Sequence, residues 1–176
     1  GCISPRSIVV GEDFGYWVDE NGIYCSPDGG QTINKISWDI DPTFAALNKS
    51  RLHLCCGETL RDKRQIVWSF SDTTSNYHNK FLVYNYGLST PMTPSNQGGR
   101  HVWSVYTGIN IMSLAEVLSS GEYQVWGGES NSATGGFVYQ IDEGTSDAGT
   151  AISWKLKTKR FLLGESWSVY SILRKL

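Results

Sequence analysis

The sequence has few charges, no broad basic region and no long apolar run. Charged residues make up 18% of the 176 residues, and the formal net charge is −2. The densest basic stretch is residues 155–160 (KLKTKR), whose alternation is typical of the exposed face of a strand. Phosphate binding in nucleic-acid-binding proteins needs a broader basic surface, and a bilayer span needs roughly 20 apolar residues. The composition therefore predicts neither a nucleic-acid partner nor a membrane association.

Cysteine and histidine are also scarce, and their spacing matches no zinc-binding pattern. The sequence contains no CxxC, and the residues concerned are Cys2, Cys25, Cys55, Cys56, His53, His78 and His101. Side chains alternate between the two faces of a strand, so the adjacent Cys55 and Cys56 are expected to point in opposite directions. We predict small core cysteines in a reducing compartment, with no metal site and no cofactor.

Aromatic residues and glycine, by contrast, are abundant, with seven Trp, nine Tyr, six Phe and 19 Gly. This composition favours strands and turns over helices. Three segments repeat one pattern, a strand with a Trp, a polar loop and a second strand with a Tyr; they are residues 16–24, 66–85 and 123–141. Such hairpins recur at a spacing of roughly 50–60 residues, which is within the range of propeller blades.

The predicted fold is all-β: a β-propeller-like array of antiparallel blades that forms one domain over residues 1–176. About three blade-like repeats are visible, fewer than a closed propeller needs. The chain starts with Gly1 instead of Met and ends within an apparent strand, so we expect a segment of a longer polypeptide. The repeated aromatic side chains are predicted to fill the wedges between neighbouring blades. A ligand-stacking platform is the alternative.

Three stretches depart from the hairpin pattern. Residues 41–48 are predicted to form one or two helical turns, with Asp41 as N-cap and Pro42 at the first helical position. Residues 113–118 are compatible with either a helix or a strand. Residues 89–100 contain two prolines and a Gly-Gly pair, which predicts an exposed loop.

The stretch YCSPDGGQTI, residues 24–33, nearly matches the hairpin signature called an Asp-box. The motif residues are Ser26, Asp28, Gly30 and Thr32, and Ile33 stands where the signature has an aromatic residue. The Asp is expected to accept backbone N–H bonds, the Gly to supply a positive φ, and the hydroxyls to lock the loop. None of these groups is a nucleophile, so we interpret the four residues as a structural turn. The Asp-box is best known from sialidases and other propeller glycosidases.

Catalytic residues are not predicted anywhere in the chain. Sialidase chemistry needs an arginine cluster and a Tyr nucleophile with a Glu partner, and none of the arginines lies in an Arg-Ile-Pro context. No GxSxG elbow is present. The acidic loop at 142–149 could bind Ca²⁺ or supply an acid/base pair, but turn chemistry alone explains its Asp, Gly, Ser and Thr. We predict a protein that is not an enzyme, with glycosidase activity as the minor alternative.

Four segments resemble virion structural proteins of tailed bacteriophages. They are residues 1–9 (GCISPRSIV), 16–24 (YWVDENGIY), 39–53 (DIDPTFAALNKSRLH) and 137–164 (FVYQIDEGTSDAGTAISWKLKTKRFLLG). The resemblance is to tail hub, nozzle or connector components with a propeller-like module. Its motifs are hairpin motifs, so it implies no catalytic residue in this chain.

The resemblance implies a role in assembly and mechanical support within a virion that is assembled in the host cytoplasm. The implied partners are other virion proteins and copies of the chain itself. One alternative is a carbohydrate-binding or glycan-cleaving, sialidase-like propeller, which an open cluster of aromatic residues beside carboxylates would favour. The other alternative is a cellular repeat protein that acts as an interaction scaffold.

Overall fold

The computed structural model describes residues 1–90, 99–108, 110–130, 136–144, 146–147 and 150–151. The chain divides into two compact units, Gly1–Asp142 and Glu143–Leu176. Within its described residues the first unit contains three antiparallel sheets of three or four strands. The described part of the second unit contains one short antiparallel pair, β12 (Ser146–Asp147) and β13 (Thr150–Ala151). The expectation of a mostly β protein is confirmed.

Each sheet of the first unit is a meander of strands in chain order. The first sheet consists of β1 (Val9–Gly11), β2 (Phe14–Asp19), β3 (Gly22–Ser26) and β4 (Asn34–Lys35). The second sheet consists of β5 (Cys56–Leu60), β6 (Gln65–Phe70), β7 (Lys80–Asn85) and β8 (Trp103–Thr107). The third sheet consists of β9 (Ile111–Ser119), β10 (Glu122–Glu129) and β11 (Val138–Gln140). The three hairpins that the sequence predicts are confirmed as β2–β3, β6–β7 and β10–β11.

The helical segments of the described chain are short. They are α1 (Asp41–Ala45) and the 3₁₀ turns Pro5–Ser7, Trp38–Ile40, Lys49–Leu54 and Arg61–Lys63. The predicted helix at 41–48 is therefore present, but its predicted cap is wrong. Ile40 occupies the N-cap position, and the Asp41 carboxylate instead accepts a hydrogen bond of 2.8 Å from Lys35 Nζ. Among the described residues, no helix has the length and apolar character that a membrane-spanning segment requires.

The structure resolves two of the remaining ambiguities. Residues 113–118 lie in β9, which pairs with β10 through a two-residue turn at Ser120 and Gly121. Both turn residues have positive φ, 54° and 88°, as a tight hairpin of this twist requires. The predicted loop at 89–100 is closed by backbone hydrogen bonds between Thr90 and Arg100. Its residues 91–98, like the basic stretch 155–160, lie outside the described part.

The second sheet lies between the other two and is buried on both faces. In β6, Ile66, Trp68 and Phe70 pack in a core shared with the first sheet. Val67 points to the opposite side and packs in a core shared with the third sheet. A strand that is covered on both faces needs apolar residues at nearly every position, which accounts for the unbroken runs IVWSF and FLVYN.

The buried cysteines follow the same two-sided arrangement. Cys55 packs in the core between the first and second sheets, and Cys56 Sγ donates to Met112 O at the start of β9. Each of the four cysteines of the chain is a free thiol. Burial raises the pKa of Cys25 and Cys55 to about 12. These thiols are therefore protonated and act as small core side chains.

Candidate binding face

The first sheet has one packed face and one open face. Tyr16 and Val18 of β2 point into the core, so alternation directs Trp17 to the opposite side, where its cross-strand partner is Tyr24. We call this side the open face; it also carries Ile8, Val10 and Ile33. Ile8, Val10 and Ile33 are 56%, 67% and 58% exposed. An apolar surface of this kind is characteristic of an interaction site.

The open face borders a solvent-open cavity of about 710 Å³ that is lined by both aromatic and acidic residues. The rings of Trp17 and Tyr24 lie nearly parallel, with centroids 6.2 Å apart and an angle of 18° between the planes. Phe14, Glu12 and Asp13 line the same cavity. The Glu12 carboxylate forms an exposed ion pair with Arg64, at 2.8 Å. Flat rings beside carboxylates can contact either another protein surface or a sugar.

The Asp-box loop connects β3 to β4 and forms one wall of this cavity. Ser26 Oγ donates to Asp28 Oδ1 at 2.8 Å and accepts the N–H of Gly30 at 2.7 Å. Asp28 accepts the N–H of Thr32 at 2.7 Å and its hydroxyl at 2.6 Å. These bonds from Thr32 hold the pKa of the Asp28 carboxyl below its usual range. Gly30 has a φ of +98°, which a residue with a Cβ adopts only with strain. The structure thus brings the four motif residues together in one loop.

The three repeated tryptophans do not have equivalent surroundings. Trp68 is fully buried, and its Nε1 donates to Ser7 O at 2.9 Å. Trp17 and Trp126 are half-buried, and each lies on an outward face of its own sheet. The expectation that the repeated aromatic residues fill wedges between sheets is therefore confirmed for Trp68. The two others lie on surfaces where only part of each ring is covered.

Sequence reasoning missed the apolar members of the open face. It treated Trp17 as one of three equivalent core residues and assigned no role to Ile8, Val10 or Ile33. The signal was present in the alternation of Ile8 and Val10 with the buried Val9. Because β1 has only three residues, this alternation was too short to indicate a strand with an outward apolar face.

The acidic loop at 142–149 is only partly described. Asp142 Oδ2 accepts a hydrogen bond of 3.0 Å from Lys63 Nζ, so this carboxylate is engaged in an ion pair. Residues 145, 148 and 149 lie outside the described part. Among the residues that are described, no three His, Cys, Asp or Glu side chains are grouped closely enough to hold a metal ion.

A single substitution tests how far the Asp-box loop depends on its internal hydrogen bonds. Ser26 is buried and makes three bonds within the loop, so Ser26→Ala is expected to lower the free energy of unfolding by about 1–2 kcal/mol. Ser50→Ala is the matched control, because Ser50 is exposed and its hydroxyl donates to the side chain of Asn48; its expected effect is below about 0.5 kcal/mol. Urea denaturation measures both. If the two variants lose the same free energy of unfolding, the hydrogen bonds of Ser26 do not stabilise the loop as described.

No protein-family model matches this sequence, and no curated protein proves similar to it.

Proposed function

We propose that this chain is a structural protein of a phage virion, a propeller-like component of the tail or of the head–tail connector. Its work is assembly and mechanical support, and it is not an enzyme. Its partners are copies of itself and other virion proteins. The observation that carries the proposal is a face-to-face stack of meander sheets that ends in an open apolar face. The phage assignment itself rests on the resemblance of the four sequence segments named above.

The arrangement of the sheets supports their interpretation as consecutive propeller blades. The first and second sheets are both four-stranded meanders, and the third begins in the same way. The first strands of the sheets contact one another in order, β1 with β5 and β5 with β9. A propeller has this arrangement, with the first strand of each blade next to the central axis. We propose that the three sheets are three blades of a ring that other sheets complete.

The environment of Trp68 indicates what the open face binds. Trp68 lies on β6 and points toward the preceding sheet, where its ring centroid is 6.4 Å from that of Tyr16. Trp17 lies on β2, the equivalent strand of the first sheet, and points to the equivalent side. In a ring, that side faces the preceding blade. We therefore propose that the open face binds a blade from another copy of the chain.

The outer face of the third sheet is a suitable partner for the open face. Val117 of β9 and Val138 of β11 are 45% and 64% exposed, and Trp126 of β10 lies between them. Val117, Trp126 and Val138 match the apolar open face, and the exposed Glu122 of the same surface lies at the start of β10, next to Ser119. Contact between two different surfaces of identical chains is a heterologous interface, which produces closed rings when the rotation closes.

Sedimentation velocity with interface variants tests this assembly. At roughly 10 µM we expect the wild-type chain to sediment as an oligomer, which requires a Kd in the micromolar range or below. Val10→Glu and Trp17→Glu are expected to yield monomers, because each buries a charge in the proposed interface. Leu88→Glu is the matched control, since Leu88 is as exposed as Val10 but lies after β7. A wild-type monomer, or equal dissociation in all three variants, would contradict the proposal.

Carbohydrate binding is a second candidate function, and one observation favours it. The nearly parallel rings of Trp17 and Tyr24 form an accessible platform beside Glu12 and Asp13, and sugar rings stack on such surfaces. A glycan array distinguishes the two candidates. Glycan binding by a monomeric wild-type chain, lost in Trp17→Ala, would favour this second function over assembly.

A further inference from the structure

A second group of polar residues lies apart from the open face, at the end of the second sheet where β6 ends and β7 begins. The segment before β5 packs onto this end. Asn48 N donates to Ser71 O at 2.9 Å, and Arg51 N donates to Asn48 O at 3.0 Å. Asn48 thus connects Arg51 to Ser71, the residue that directly follows β6.

Two other elements reach the same end of the sheet. Arg6, in the 3₁₀ turn before β1, donates from Nη2 to Met112 O at 2.9 Å. Ser130, which follows β10, donates its N–H to Asn110 O at 2.7 Å and its hydroxyl to His78 O at 3.4 Å. The start of β9, residues 110–112, therefore connects Arg6 with His78.

Several buried polar atoms at this end have no hydrogen-bond partner within the described chain. They are His78 Nδ1, His78 Nε2, Arg51 Nε and Ser71 Oγ. The His78 side chain is fully buried. Buried polar groups in native proteins are nearly always satisfied, and one that has no partner in the protein costs free energy unless a bound water or ion supplies the partner. Arginine cannot shed its proton, so it needs an acceptor.

The charge at this end is positive and uncompensated. Neither Arg6 nor Arg51 forms an ion pair with a carboxylate of the described residues. The Asp72 carboxylate, next to Ser71, is bound to Lys80 at 2.8 Å. Burial, and then the positive charges of Arg51 and Arg6, lower the pKa of His78 to about 4. His78 is therefore a neutral donor near two cations at neutral pH.

We propose that Arg6, Arg51 and His78 form a binding site for a small oxyanion, a phosphate or a carboxylate group. Guanidinium groups bind oxyanions with paired N–H donors, and a neutral imidazole N–H and the Ser71 hydroxyl supply further bonds to the same ion. The anion offsets positive charge at this end and gives the unpartnered donors their acceptor. This site is separate from the open face and does not depend on the proposed function.

Isothermal titration calorimetry of the full chain in phosphate-free buffer tests the site, with inorganic phosphate and acetate as probes. We expect at least one probe to bind, and we expect Arg6→Gln and Arg51→Gln to weaken its binding roughly tenfold to a hundredfold. Arg64→Gln is the matched control, because it removes the same charge at the opposite end of the second sheet; its binding constant is expected to be unchanged. Which probe binds more tightly distinguishes a phosphate ligand from a carboxylate.

Two results would overturn the proposal. One is the absence of binding by both probes in the wild-type chain. The other is an equal loss of binding in Arg6→Gln and Arg64→Gln, which would indicate general charge attraction. Arg6 is exposed and makes one hydrogen bond to the backbone, so its variant is expected to fold even if Arg51→Gln does not. Arg51→Lys keeps the charge but removes the paired donors, and it is expected to bind more weakly than wild type.

Discussion

Replacement of Trp68 by alanine is expected to lower the free energy of unfolding by about 4 kcal/mol. Trp68 is fully buried between the first and second sheets. Its ring centroid is 6.4 Å from that of Tyr16 and 6.1 Å from that of Trp103, and its Nε1 donates to Ser7 O. The substitution removes these contacts, leaves a cavity and deprives a buried carbonyl of its donor.

Urea denaturation monitored by circular dichroism measures this loss. Trp38→Ala is the control for the same chemical change at a surface position, because Trp38 is 60% exposed and contacts Lys35 through its ring face. Its expected cost is below about 1 kcal/mol. If the two variants lose the same stability, Trp68 does not link the two sheets as described.

Stability is expected to decrease by about 3 kcal/mol as the pH is lowered from about 6.5 to about 4. In the unfolded chain, a histidine takes up a proton near pH 6.5. In the folded chain, burial and the charges of Arg51 and Arg6 delay protonation of His78 until its pKa of about 4. The unfolded state therefore binds more protons in this window, so acid favours unfolding. Burial also lowers the pKa of His101, which acts in the same direction.

His78→Gln isolates the contribution of this one imidazole. The variant is expected to lose most of the pH dependence between about pH 6.5 and 4, when unfolding is measured in phosphate-free buffer. His53→Gln is the matched control, since His53 is exposed, and it is expected to keep the dependence of the wild type. If the stability of the wild type is the same across this pH range, the folded protein does not lower the pKa of His78, and the prediction is wrong.

Local features of the fold could be predicted because neighbouring residues determine them. The hairpins follow from alternating strands around turn residues, and the bonds of the Asp-box loop join residues at most four apart. The helix at Asp41–Ala45 follows from Pro42 in the first turn. Its cap could not be predicted, because Lys35, from the preceding strand, binds the carboxylate of Asp41.

Features that depend on how the sheets stack could not be predicted. The alternation of β6 indicates that Trp68 and Val67 point to opposite sides, but not which sheet covers each side. The equivalence assumed for the three tryptophans failed for this reason, since Trp126 lies on the face of its sheet that points away from the second sheet. Arg6, Arg51 and His78 come from three distant segments, so no local pattern indicates their proximity.

Electron microscopy of the purified chain, combined with its sedimentation mass, tests the central claim most directly. The proposed structural role predicts a closed ring of identical copies, in which the open face of each first sheet contacts the third sheet of its neighbour. The Val10→Glu variant is expected to form no rings. A monodisperse monomer at roughly 10 µM would contradict the account, because the open apolar face would then be free in the native protein.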